Sequence, residues 1–198
     1  LLAKSDQGAQ WIKNNALTAT VDPKIMLTYR EVRQNTAPPL DDIDDEQFSQ
    51  YYPLLPYQPA LFMEILSNLR ELLPDATKSI FSGTARAVLA LVAGLRAEWA
   101  KKDGDMPVIS LVDFYNLVQY ELKDIIQEKT EVIEDIGNDP ETDEFDLQVA
   151  KAVLLLSYVP EMIPQTDSNI ATAIMDDLEG EIRSNVQQRV RLLPVQLQ

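Results

Sequence analysis

Residues 82–101 read SGTARAVLALVAGLRAEWAK, a glycine turn followed by an apolar run with helical spacing. Apolar side chains at 88, 91, 92, 95 and 99 fall on one face of a helix, because residues three and four apart are neighbours on its surface. The stretch therefore predicts a helix over about 84–101. Arg86 would lie in its first turn, where the positive end of the helix dipole disfavours a cation, so we expect an anion close to the guanidinium.

The segment before this helix predicts an irregular strap and a second helix. Residues 51–59 hold three prolines and three tyrosines, which stop regular structure but supply enough apolar surface to pack on a domain. Helically spaced apolar residues then predict a helix over about 60–73, which Pro74 ends.

The segment after residue 104 predicts a further helix and an acidic connection. Ser110 is a predicted N-cap, and apolar residues keep helical spacing from there to about 129. Residues 130–146 carry eight acidic and no basic side chains, with a Gly-Asn-Asp-Pro turn in the middle. We expect a mobile loop or a helix end there.

The last third of the chain predicts three short helices, over about 147–159, 166–178 and 181–193. Thr166, Asp167 and Ser168 are candidate caps of the second one. Three short helices of this kind match the core of a helix-turn-helix domain. Since no strong strand pattern follows residue 36, the predicted fold class is mainly α.

Composition excludes several classes of chemistry. The 198 residues include 32 acidic and 17 basic side chains, a net charge of −15, which opposes broad binding to nucleic acid or an anionic membrane. The chain has no Cys and no His, so it can hold no disulfide, no Ser-His-Asp triad and no thiolate or imidazole metal site. No apolar run approaches the ~20 residues of a membrane span. We expect a cytoplasmic protein with no membrane partner.

The sequence also lacks nucleotide-loop and metal motifs. Its six glycines are too scattered for the G-x-x-x-x-G-K-[ST] phosphate loop, so we expect no catalytic residue in this chain. The acidic run at 41–46 has no glycine where a calcium loop turns, so we interpret it as a solvated linker and predict no metal site. The start without Met leads us to expect a piece of a longer chain.

Arg86 has three interpretations on sequence alone. It can be an ordinary surface arginine or ion-pair partner, it can bond backbone carbonyls near Phe81 and Ser82, or it can contact a phosphate of a neighbouring nucleotide site. A forked, permanently charged guanidinium suits the third task. On a helical lid, such a contact would let the nucleotide state move the lid.

Two motifs carry a resemblance to a known family. Residues 82–89 read SGTARAVL, which resembles the sensor-2 motif in the helical lid of AAA+ ATPases. Together with YPLLPYQ at 52–58, the region is similar to the part after the ATPase core in the large P-loop proteins of BREX-type phage defence, the BrxC/PglY group. The resemblance covers about 48–126 and extends weakly to about residue 193.

The resemblance implies a role for two residues and a set of partners. Arg86 would contact the nucleotide, with Gly83 forming the turn that positions it. ATP and Mg²⁺ would be cofactors of the parent protein only, since this chain has no counterpart of the Walker segments. The implied partners are the parent's own ATPase core and other subunits of the defence system.

These observations predict four segments along the chain. They are an N-terminal extension with an acidic linker (1–47), a helical lid-like bundle (48–129), an acidic connector (130–145) and a truncated winged-helix-like helical unit (146–198).

The helix at 181–193 has a basic face. Its ordinary interpretation is an amphipathic helix with solvated arginines. Its functional interpretation is the recognition helix of a winged-helix domain, in which Arg183, Gln187 and Arg191 reach phosphates or base edges. Because the rest of the chain is acidic, we expect DNA binding that is weak and sensitive to salt.

A rival hypothesis is a helical protein-interaction module unrelated to nucleotides. In that case the strap at 51–59 and the acidic segment at 130–146 would be docking surfaces, and Arg86 would pair with a carboxylate.

Overall fold

The structure is a computed structural model that describes residues 50–55, 57–73, 85–103 and 107–177. These residues contain six helices: α1 (Gln58–Glu71), α2 (Ala85–Trp99), α3 (Leu111–Ile125), α4 (Gln127–Asn138), α5 (Glu144–Leu156) and α6 (Asp167–Ala173). Pro107 and Asp177 form an isolated antiparallel β-bridge. The predicted mainly α class is confirmed for this part of the chain.

Side-chain caps fix the starts of three helices. Ser110 is the N-cap of α3, as predicted: its hydroxyl accepts a hydrogen bond from the backbone N–H of Asp113, whose carboxylate bonds back to the backbone N–H of Ser110. Asp143 and Asp146 form the same reciprocal pair at the start of α5. Among the three predicted candidates, Thr166 caps α6.

The strap at 51–59 packs on the domain, as predicted. Tyr52, Leu55 and Tyr57 are buried, whereas Tyr51 is 41% exposed. The side-chain amide of Gln58 then accepts a bond from the backbone N–H of Leu55 at 2.8 Å and donates to the carbonyl of Ile109. These two hydrogen bonds hold the start of α1 at Gln58, two residues before the predicted start.

Of the two alternatives predicted for 130–146, the mobile loop is wrong as far as Asn138, because residues 130–138 form the C-terminal part of α4. The helix is stabilised by Thr130 and Ile133, which are buried where α4 packs on α3 and α5, while most of its acidic residues are exposed. The predicted helix over 111–129 breaks instead at Ile126, where the backbone leaves helical geometry.

The predicted helix over 166–178 is also too long. It ends at Ala173, because the following residues turn to meet another part of the chain. The carbonyl of Asp176 accepts a hydrogen bond from the backbone N–H of Val108 at 2.8 Å, and Ile109 bonds the carbonyl of Pro53 at 3.0 Å. Residues 107–109 thus lie between the strap and the end of α6.

One hydrophobic core joins the described helices on both sides of the 130–145 segment. At its centre the rings of Phe62 and Phe114 stack with centroids 4.4 Å apart. The Asn68 amide also donates to the carbonyl of Tyr158 at 2.6 Å, linking α1 to the end of α5. The predicted four-segment division of the chain stays a prediction.

The winged-helix detail stays a prediction, since the third predicted helix, at 181–193, lies outside the described residues, as does the predicted extension at 1–47. Among the described residues, no helix combines the length and apolarity that crossing a bilayer requires.

Candidate functional site

A groove of about 530 Å³ lies between α1, α2 and α3. Helix α2 packs on α3, and the groove separates α2 from α1. Most of the side chains around it are apolar or small, with three charged ones among them. The lining residues are Ala60, Met63, Glu64, Leu66, Ser67 and Arg70 of α1, Ala87, Val88, Ala90 and Leu91 of α2, and Leu117, Val118 and Glu121 of α3. We call this the α1–α2–α3 groove.

Small side chains keep the groove open. On α1, Ala60 and Ser67 lie two turns apart on one face, and on α2, Ala87 and Ala90 share a face at a spacing of three. Large residues at these positions would fill the space between the two helices. The small side chains thus leave the groove open, whereas the spacing of the apolar side chains determines the helices.

Arg86 lies beside this groove, in the first turn of α2, and is exposed. It stands one helical turn before Ala90, which lines the groove, so the two residues share a face of α2. Within the described ranges no carboxylate forms an ion pair with its guanidinium. The side chain is thus accessible to an anion that approaches the open side of α2.

A second arginine belongs to the groove itself. Arg70 is in the last turn of α1, where the negative end of the helix dipole favours a cation. It lines the groove together with the carboxylates of Glu64 and Glu121. The groove therefore offers an apolar surface with both signs of charge at its edge.

The predicted site residues are Gly83, Arg86, Arg183, Gln187 and Arg191, and Arg86 alone lies within the described ranges. The other four lie outside the described residues. Among the described residues, no group of three or more carboxylates is close enough to hold a metal ion.

The sequence did not predict the groove, because the groove depends on how three helices pack. The apolar stripe on α2 consists of residues 88, 91, 92, 95 and 99, and it does not include the alanines between them. The small residues at 60, 67, 87 and 90 are visible in the sequence, but that they line one groove is known only from the structure.

Comparison with known proteins adds no relative from which a role for these residues could be transferred: no protein-family model, no curated protein and no solved structure matches this chain.

Proposed function

We propose that this chain is a non-catalytic lid segment of a P-loop, AAA+-like ATPase in a cytoplasmic anti-phage defence system. In this proposal the α1–α2–α3 groove rests on the ATPase core, and Arg86 reaches the phosphates of the ATP·Mg²⁺ bound there, with Gly83 as its turn. The observation that carries the proposal is an exposed Arg86 in the first turn of α2, without an ion pair among the described residues, beside an open groove.

The physical argument concerns the position of this charge. A cation in the first turn of a helix is destabilised by the dipole, and a surface-exposed ion pair would relieve that by only a few tenths of a kcal/mol to about 1 kcal/mol. A phosphate would relieve it far better, because a guanidinium bonds phosphate oxygens through two parallel N–H groups. Because residues 82–89 resemble a sensor-2 motif, we propose that this phosphate belongs to the bound ATP.

The biological test replaces Arg86 in the native defence system. Arg86→Ala should reduce protection of the host against phage, measured as plating efficiency. Arg96→Ala is the matched control, because Arg96 is exposed in the last turn of the same helix. Full protection by the Arg86 variant would contradict the sensor role.

We further propose that the C-terminal region contacts DNA or another subunit through Arg183, Gln187 and Arg191. The support is the basic face of the segment at 181–193, set against an acidic chain. Titration of the native protein with duplex DNA at low salt should give weak binding that fails as salt rises. Absence of binding at low salt, in a protein that includes the wing, would refute the DNA contact.

A second function, a protein-interaction module unrelated to nucleotides, is favoured by the groove itself. Its apolar lining, with Met63 41% exposed, suits the apolar face of a partner helix. The strap contributes little to such docking, since Tyr52 and Tyr57 are buried. Under this alternative, Ala90→Glu would abolish partner binding and Arg86→Ala would leave it unchanged, whereas the lid proposal requires both changes to matter.

A further inference from the structure

A second, polar pocket of about 340 Å³ lies between α3, α4 and α5, away from the α1–α2–α3 groove. Tyr115 and Tyr120 of α3 and Lys151 of α5 line it, and Gly137 of α4 leaves one part of its wall without a side chain. Its volume is at the lower end of the range for small-molecule sites.

Lys151 places an ammonium group in this pocket without a carboxylate partner. Its Nζ donates to Oδ1 of Asn116 at 2.8 Å and lies 5.4 Å from the centroid of the Tyr115 ring. No described carboxylate forms an ion pair with it. An ammonium has three N–H donors, and the bond to Asn116 uses one, so two donors are left for another group.

The environment of Lys151 is unfavourable for its charge. Burial lowers the pKa of Lys151, and the nearby charge of Glu144 only partly offsets that. A half-buried cation without an ion pair costs free energy, part of which a bound anion would recover. In a chain with 32 acidic side chains, the absence of a carboxylate partner at this position is notable.

Tyr115 adds a second donor to the same pocket. Its side chain is only 4% exposed, and it lines the pocket with its ring beside the ammonium of Lys151. Burial and the charge of Glu134 raise the pKa of Tyr115, so the hydroxyl keeps its proton at neutral pH. It can therefore donate to an oxygen of a ligand.

The other lysine at this pocket is already neutralised. Nζ of Lys123 lies 2.8 Å from Oε1 of Glu134, in a pair whose members are about half exposed. Lys151 is thus a pocket lysine without an ion pair among the described residues, and Glu144 and Glu134 add negative charge nearby. A ligand with one negative charge would be repelled less by Glu134 and Glu144 than a dianion such as phosphate would be.

We propose that the pocket between α3, α4 and α5 binds a small organic acid through a single carboxylate group, held by the ammonium of Lys151 and the hydroxyl of Tyr115. The aromatic ring of Tyr120, 78% exposed at the pocket, offers a surface for the remainder of the ligand. This proposal does not depend on the nucleotide role of Arg86.

The test is an NMR titration of the ¹⁵N-labelled chain with acetate, propionate and benzoate, and with benzamide as the neutral counterpart of benzoate. At least one carboxylate should give saturable shifts of amides near 115, 137 and 151 at millimolar concentration, and benzamide should give none. If none of the three carboxylates gives a saturable shift there, or if benzamide binds equally well, the proposal is wrong.

Two variants and one control assign the contacts. Lys151→Met should weaken carboxylate binding by about tenfold or more, a loss that corresponds to about 1.4 kcal/mol. Tyr115→Phe retains the buried ring and should weaken binding by a smaller factor, so it remains informative if the lysine variant unfolds. Lys101→Met removes an exposed lysine outside the pocket and should leave the affinity nearly unchanged, and equal losses for Lys101→Met and Lys151→Met would contradict the assignment.

Discussion

Gly94 of α2 faces Leu117 of α3 so closely that a β-carbon at residue 94 would stand 2.5 Å from Cδ1 and 2.9 Å from Cδ2 of Leu117. The missing side chain lets α2 and α3 approach each other. Because Leu117 also lines the α1–α2–α3 groove, this contact sets the position of one wall of the groove. The glycine therefore has a packing role, although it stands in a helix where glycine is intrinsically unfavourable.

Gly94→Leu should separate α2 from α3 and lower the free energy of unfolding by about 1–3 kcal/mol, the usual cost of overpacking. Urea denaturation measures the effect. Ala93→Leu is the matched control, because Ala93 is exposed on the same helix, and its effect should stay within about 0.5 kcal/mol. Equal stability of the two variants would show that the contact with Leu117 is not tight.

Gln58 lies at the start of a helix, yet Gln58→Met should lower the free energy of unfolding strongly. The change leaves the backbone N–H of Leu55 and the carbonyl of Ile109 buried without their side-chain partner, at about 1–3 kcal/mol for each group. Gln127→Met, which loses only an exposed bond to Glu131, should cost almost nothing. Thermal unfolding of both proteins compares them, and similar melting temperatures would contradict the bridging role of Gln58.

Asp113→Ala should cost more than the corresponding change in the other capping box. Asp113 accepts bonds from Ser110 and also pairs with Lys102 at 2.9 Å, with both side chains mostly buried. We expect a loss of about 1–3 kcal/mol, since a poorly solvated lysine loses its close partner and keeps Asp176 at 4.0 Å. Asp146→Ala removes the matching residue of the exposed box in α5 and should cost about 0.5 kcal/mol. A reversed order in urea denaturation would refute the contribution of Lys102.

Tyr52 should make stability depend on pH in alkaline solution. Burial and the charge of Asp177 raise the pKa of Tyr52 from 10.0 to about 12. The folded state therefore keeps the proton longer than the unfolded state, so the stabilisation is complete below pH 10 and is lost as pH rises towards 12. We expect a loss of the order of 2 kcal/mol over this interval.

Tyr52→Phe isolates this effect, because it removes the titrating hydroxyl and retains the ring that meets Trp99 edge-on with centroids 6.1 Å apart. The variant should lose less stability between pH 10 and 12 than the wild type in denaturant titrations at each pH. Identical slopes would show that Tyr52 titrates at its ordinary pKa.

Local signals in the sequence predicted much of the helical fold. Ser110 and Thr166 indicated where two helices start. A capping hydroxyl can be predicted locally, because it accepts a hydrogen bond from a backbone N–H only three residues further on. The prolines at 51–59 predicted an irregular segment, because each proline restricts the backbone at its own position. Helix α4 was missed because its acidic composition resembles a loop, and its helical state depends on burying Thr130 and Ile133 against other helices.

Pairings between distant residues could not be predicted. Val108 bonds Asp176, and Gln58 bonds Ile109, across separations that no local pattern encodes. The sequence singled out Arg86 through its unfavourable place in a helix, but it could not place the groove beside it. The groove depends on how α1, α2 and α3 pack, as does the pocket around Lys151.

The most direct test of the lid proposal is the rate of ATP hydrolysis by the native protein, in which the proposal places this chain beside an ATPase core. Steady-state turnover is measured for the wild type, Arg86→Ala and Arg96→Ala. The lid proposal predicts that Arg86→Ala lowers turnover by about tenfold or more, as expected for loss of an arginine that contacts a transferring phosphate, while Arg96→Ala stays near the wild type. Wild-type turnover in Arg86→Ala, or no ATP hydrolysis by the native protein at all, would contradict it.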